Sequence, residues 1–279
     1  MSLLSKIADR LTLVPSTNPI DLGENRRELF FADTNTDTDT GLQIEAFVST
    51  WGDFEQVSPR SRLIILKIPG TGGRAERATI HPAELLSGRQ ADSLLAAEVW
   101  TLNHRGYGKS AGPASMQNFV STLEAFWRHI ESKYPAEPKL ITGNSLGCVS
   151  ALYLAREKKG VSALLLRNPP PLAQLISTRP KYNWWSFGAA KLIAKGIPPA
   201  LDAIENAKQA TCPAVFVTSE KDRVVPPSYQ EQIIAAYQGP TEQIILEDAD
   251  HHHPPPDHQR AQYADTIDWL RIRIESLEN

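Results

Sequence analysis

Short apolar runs alternate with longer amphipathic stretches along most of this chain. Leu63 to Ile68, Val99 to Asn103, Leu140 to Thr142, Ala163 to Leu166, Ala214 to Thr218 and Gln243 to Leu246 have the length and side chains of buried strands. Between them, Ala91 to Glu98, Met116 to Tyr134, Leu146 to Glu157, Ser228 to Tyr237 and His258 to Leu277 predict helices. Such alternation predicts an α/β fold: a mostly parallel sheet with helices on both faces. Its chemistry is then expected in the loops at the carboxyl ends of the strands. Upstream the pattern changes. Leu29-Phe30-Phe31 reads as a short strand, Asp33 to Gly41 as a polar turn, and Leu42 to Val48 alternates residue by residue, so an antiparallel hairpin opens the sheet. Leu3, Leu4, Ile7 and Leu11 fall at helical spacing and predict an amphipathic helix within residues 1–20. One stretch breaks the rhythm. From Pro169-Pro170-Pro171 to about Gln209 the chain is too long for a single crossover helix, and it predicts a small helical cap insertion over 169–209. With no internal repeat and no long linker, residues 1–279 read as one domain.

Composition narrows the function. The 279 residues are 41% hydrophobic and 22% charged with a net charge of −3 and no basic stretch, so the electrostatic footprint of a nucleic-acid binder is missing. A small-molecule substrate is the default. No run approaches the roughly 18 apolar residues of a membrane span, and charges interrupt the N-terminus too early for a signal peptide, which together point to the cytoplasm. The N-terminal helix is expected to dock on the domain, with a membrane-surface or dimer contact as the alternative. The two cysteines, Cys148 and Cys212, form no disulfide framework or CxxC pair and read as core residues.

The chemistry centres on Gly143-Asn144-Ser145-Leu146-Gly147, which fits the G-x-S-x-G nucleophile elbow. A serine at the tip of a tight strand-to-helix turn needs glycines on either side so that neighbouring backbone can pass. A strand end, Leu140-Ile141-Thr142, precedes the motif and a helix-forming stretch follows it, as the motif requires. A serine hydroxyl needs a base and an orienting acid to become a nucleophile. Asp222 follows the strand Ala214 to Thr218, and His251 follows the strand Gln243 to Leu246, in the chain order Ser, Asp, His of this type of site.

With those motifs the chain resembles the α/β-hydrolase superfamily, in its cytosolic serine-hydrolase branch near the esterase, lipase and serine-aminopeptidase-like members. Asn103-His104-Arg105-Gly106-Tyr107-Gly108-Lys109-Ser110 resembles the loop after that family's fourth strand. Asp222-Arg223-Val224-Val225-Pro226 resembles its acid loop and Ala249-Asp250-His251 its histidine loop. The resemblance spans roughly Leu42 to Leu270. It implies Ser145 as nucleophile, His251 as base and Asp222 as orienting acid, acting by acyl transfer on an ester, thioester or small amide without metal or cofactor. It also implies an oxyanion hole, with the N–H groups of Thr71 and Leu146 as donors. Here the chain departs from the family, because Ile68-Pro69-Gly70-Thr71 carries Pro69 where the family has histidine. A protein of this fold that binds a ligand or partner without catalysis is therefore the alternative.

Other readings stay open at single residues. His252 is an alternative base. His251, His252, His253 and His258 with Asp248, Asp250 and Asp257 are metal-ligand types, although neighbouring side chains on an extended loop diverge and Pro254-Pro255-Pro256 stiffens them apart. Arg105 reads as a loop-ordering arginine. Trp184, Trp185 and Phe187 are either the core of the cap or an apolar wall for the acyl part of a substrate.

Overall fold

The computed structural model describes residues 2–21, 27–33, 42–77, 79–86, 94–178 and 187–277. Helix α1 covers Leu3–Thr12. The strands are β1 (Arg27–Asp33), β2 (Leu42–Trp51), β3 (Arg62–Ile68), β4 (Ala96–Leu102), β5 (Lys139–Asn144), β6 (Ala163–Arg167), β7 (Ala214–Ser219) and β8 (Thr241–Leu246). They form one sheet in the order β1-β2-β4-β3-β5-β6-β7-β8. Among the described strands only β2 runs against the rest, pairing antiparallel with β1 (Phe31 opposite Ile44) and with β4 (Val48 opposite Trp100). From β4 onward every pairing is parallel. The expected hairpin and parallel sheet are both present, and the turn expected at Asp33 to Gly41 lies, beyond Asp33, outside the described residues.

Strand side chains alternate between faces, so each buried strand feeds two cores. Ile64, Leu66, Trp100, Ile141, Leu164 and Phe216 join one layer with α3 (Met116–Lys133) and α4 (Leu146–Glu157). Leu63, Ile65, Val99, Leu140, Leu165 and Val217 join the other, covered by α2 (Ala83–Leu86) and α9 (Arg260–Leu277). Helix α3 buries Met116, Phe119, Leu123, Phe126 and Ile130 on one stripe, and Ser115 caps its start by accepting from the Asn118 N–H. Helix α9 buries Tyr263, Ile267, Leu270 and Ile274, at steps of three and four. Truncating any of the fully buried leucines or isoleucines to alanine is expected to cost about 2–5 kcal/mol.

One expected element is corrected. The helix predicted over Ala91 to Glu98 does not extend through its last three residues, because Ala96, Ala97 and Glu98 open strand β4; residues 91–93 lie outside the described set. The helix propensity of alanine yields here to a central strand paired on both edges. Glu98 can be buried there because its carboxylate accepts from Trp100 Nε1 at 3.0 Å and from the Tyr134 hydroxyl.

Over 169–209 the chain forms α5 (Leu172–Thr178), α6 (Phe187–Ala194) and α7 (Ala203–Ala207). Helices α5 and α6 pack on each other and α6 on α1, whereas α7 packs on α4 and on α8 (Pro227–Ala236) in the main helical layer. Trp184 and Trp185 lie outside the described residues, as does the side chain of Phe187. No helix among the described residues is long and apolar enough to cross a membrane.

Candidate active site

Strand β5 ends at Asn144 and α4 begins at Leu146, leaving Ser145 alone in the turn with φ 52° and ψ −121°. That backbone is sparsely populated for any residue with a Cβ, and holding it costs about 1–3 kcal/mol. The surroundings supply the constraint. The Ser145 N–H donates to the Arg167 carbonyl at 2.8 Å, so the turn stays tied to β6, and the Cys148 N–H donates back to the Ser145 carbonyl at 2.8 Å. A Cβ on Gly147 would sit 2.1 Å from the Ile68 carbonyl oxygen, and one on Gly143 would sit 2.5 Å from the Gly147 carbonyl carbon. The two glycines of the motif are therefore required by close backbone approach. Cys148 is buried directly behind, its sulfur 3.1 Å from both the Gly143 and Arg167 carbonyl oxygens, which share its one S–H, and its pKa is pushed up by burial.

Asp222 and His251 meet. They lie beyond the ends of β7 and β8, at the same sheet edge as Ser145, and both are buried. His251 Nδ1 and Asp222 Oδ2 are 2.6 Å apart. The other oxygen, Oδ1, accepts from the Val224 and Val225 N–H groups at 2.7 and 2.8 Å, and Gln230 Nε2 lies 3.4 Å from Oδ2. These donors give the buried carboxylate partners on both of its oxygens. His252, the alternative base, is exposed, as are His253, which pairs with Asp250, and His258, which pairs with Glu247. Among the described residues no group of three His, Cys, Asp or Glu side chains could hold a metal ion.

Asn168 escapes any sequence motif yet joins the two loops. It is fully buried with φ 53°, its Nδ2 reaching Ser219 Oγ at 3.1 Å and the His251 carbonyl at 3.2 Å, while its Oδ1 accepts from the Ser219 N–H. The only signal in the sequence is an asparagine, tolerant of positive φ, directly after a strand.

The loop after β3 passes close to Ser145. A Cβ on Gly70 would lie 3.0 Å from the Asn144 carbonyl oxygen and 3.4 Å from Ser145 Cβ. Thr71, next in line, is anchored from behind by the N-terminal segment. Its hydroxyl donates to the Thr12 carbonyl, and its own carbonyl accepts from the Val14 N–H at 3.3 Å and the Tyr107 hydroxyl at 2.8 Å. Burial pushes the Tyr107 phenol up to about 12, which keeps it a donor. Leu146 opens α4, where backbone N–H groups of a first turn have no partner within the helix. Arg105 is buried beneath Gly112, where an added Cβ would meet its Nε at 2.9 Å.

A cavity of about 710 Å³ is a different place. It lies between the sheet, α2 and α9, and its lining includes Gly70, Asn144 and Arg167 but none of Ser145, Asp222 and His251.

Residues 91–201 match the family described as serine aminopeptidase, S33. The chain is 26% identical over 230 residues to the lysophosphatidylserine lipase ABHD12 of Danio rerio, covering 75% of this chain and 58% of that protein. It is 24% identical over 161 residues to the alpha/beta hydrolase domain-containing protein 17B of Homo sapiens, covering 57% and 52%. The matches thus span about half the length of these relatives. Among solved structures, the Pyrococcus furiosus esterase Pf2001 superposes with a TM-score of 0.63 at 13% identity, covering 94% of this chain and 98% of the other. Est1E from Butyrivibrio proteoclasticus gives 0.62 at 15% identity, covering 89% and 99%. Sheet order, nucleophile-type turn and these likenesses agree: the chain has an α/β-hydrolase fold and is similar to members of that superfamily.

Proposed function

We propose that this chain is a serine hydrolase acting on an ester, thioester or small amide. The observation that carries the reading is the buried 2.6 Å bond between His251 Nδ1 and Asp222 Oδ2, at the sheet edge where Ser145 occupies its constrained turn. In this reading Ser145 Oγ attacks the substrate carbonyl carbon and His251 Nε2 takes its proton. The N–H groups of Leu146 and Thr71 donate to the oxygen as it becomes negative; one such donor is worth about 2.7–4 kcal/mol in measured systems. The tetrahedral intermediate collapses to an acyl-enzyme, and the leaving group departs with the proton from Nε2. Water then adds by the same steps in reverse order of roles, releasing the acid and restoring Ser145. Asp222 keeps the proton on Nδ1 and stabilises the imidazolium without taking the proton itself. Trp184, Trp185 and Phe187 are proposed to wall the acyl pocket. That the relatives include a lipase and the structural neighbours an esterase supports an ester over other carbonyl substrates.

Pro69 favours the competing reading of a binding protein without catalysis, since it replaces the family's histidine beside the oxyanion loop. A fluorophosphonate probe separates the two, because only an activated serine reacts. Rapid labelling of the wild type is expected, with none in Ser145→Ala and an unchanged circular dichroism spectrum. Full labelling of Ser145→Ala, or none of the wild type, rejects the assignment.

A further inference from the structure

We propose that the cavity between the sheet, α2 and α9 is a second binding site, for a small molecule bearing one carboxylate on an apolar tail. Its volume, about 710 Å³, is that of a ligand pocket. Its walls are largely apolar, with Ile68, Leu85, Leu165, Val217, Pro255 and Tyr263 among them. Against that background its charge is one-sided. Lys67, Arg74, Arg77, Arg167 and Arg260 line it, with Glu84 as the one carboxylate among the described lining residues. Several of these cations are already engaged. Lys67 Nζ donates to the His81 carbonyl at 2.9 Å, Arg74 pairs with Glu76, and Arg260 pairs with Asp257 at 2.7 Å.

Arg167 is the exception. It closes β6, and its Nη2 donates to the His253 carbonyl, but its Nε–H is buried with no hydrogen-bond partner among the described residues. A buried, unmatched N–H on a guanidinium is costly, and an oxyanion is the acceptor that satisfies it best. Burial pushes the Arg167 pKa below the ordinary guanidinium value, and the nearby Tyr263, Asp222 and Asp250 oppose it only in part. With Lys67, Arg74 and Arg260 engaged elsewhere, the excess positive charge left at Arg167 and Arg77 suits a singly charged head such as a carboxylate, with the exposed Asn144 side chain in the same cavity lining. Because Ser145 is not part of this lining, the site is separate from the proposed acyl-transfer chemistry. It adjoins the histidine loop through the bond from Arg167 to His253 and through Pro254 and Pro255 in its lining.

The test is calorimetric titration of octanoate, with octanamide as its uncharged twin, into the full chain carrying Ser145→Ala, so that the outcome does not depend on hydrolysis. Saturable octanoate binding is expected, with octanamide weaker by roughly tenfold or more, the loss of one charged hydrogen bond. Arg167→Gln should weaken octanoate by a similar factor. Since Arg167 also holds the histidine loop, Ala264→Trp provides an independent check: it fills the cavity from α9 and should abolish binding. The proposal is overturned by absence of saturable octanoate binding, by octanamide binding as tightly as octanoate, or by undiminished octanoate binding in Ala264→Trp.

Discussion

Asp222 has two tasks that a single substitution can separate. Its Oδ1 closes the acid loop on the Val224 and Val225 N–H groups, and its Oδ2 fixes the His251 ring. In Asp222→Asn the amide oxygen can still accept from the loop, so the fold should survive with a melting temperature close to wild type. The amide NH2 would then face Nδ1 and move the imidazole proton to Nε2, where it cannot accept from Ser145. A kcat loss on the order of 10⁴-fold is expected on whichever ester the wild type cleaves; a loss under tenfold would remove His251 from the role of base. The residue scale was also the most legible in the sequence. Ser145, Asp222 and His251 stand out because glycine spacing and strand-end position are local signals. Asn168 does not, since it acts through partners far along the chain, and Gln230, eight residues from Asp222, belongs to no motif.

At the scale of elements, α1 does more than cover the core. Its Asp9 is buried and accepts from the Met116 N–H at 2.9 Å, capping α3 from a distance of over a hundred residues in sequence. Burial raises the Asp9 pKa above the ordinary carboxylate value, the bond to Met116 only partly opposing it. A raised folded-state pKa means that the native state binds the proton more tightly than the unfolded chain. The associated stability is full below the unfolded pKa and is lost as pH rises through the folded one. Asp9→Asn keeps an acceptor without the buried charge, so it should melt at or above the wild-type temperature at pH 7. That advantage should shrink to nothing as the pH falls below about 4. A wild type that is the more stable at pH 7 and loses its lead on acidification would reverse the sign. The last residue of α1 reaches the loop after β3, where the Thr71 hydroxyl donates to the Thr12 carbonyl. Thr71→Val preserves shape and deletes that bond, at an expected cost of about 0.5–1.5 kcal/mol. If the loop positions an oxyanion donor, kcat should fall while KM changes little, and unchanged kcat would show that Thr71 is held for stability alone. None of this was visible in the spacing of Leu3, Leu4, Ile7 and Leu11, which gives a helix with an apolar face but not what that face meets.

For the whole molecule, periodicity carried the architecture. Alternating strand and helix patterns suffice for a parallel sheet because each buried strand needs cover on both faces. Periodicity failed at Ala96 to Glu98, where short side chains and a glutamate imitate a helix and only neighbours on both edges make a strand. It could not reveal the cavity beside Arg167 either, since a void is defined by elements that are distant in sequence. The same long-range character bears on how the protein is made. A Cβ on Gly196 would collide with the Leu4 backbone at 2.6 Å, so α1 rests directly on the end of α6, about 190 residues downstream. At a synthesis rate of roughly 5–20 residues per second, α1 leaves the ribosome about 10–40 s before its docking surface exists. Throughout that interval an amphipathic helix with Leu4 and Ala8 uncovered is available to chaperones and to other nascent chains. Helix α1 is made long before the α6 end that it rests on.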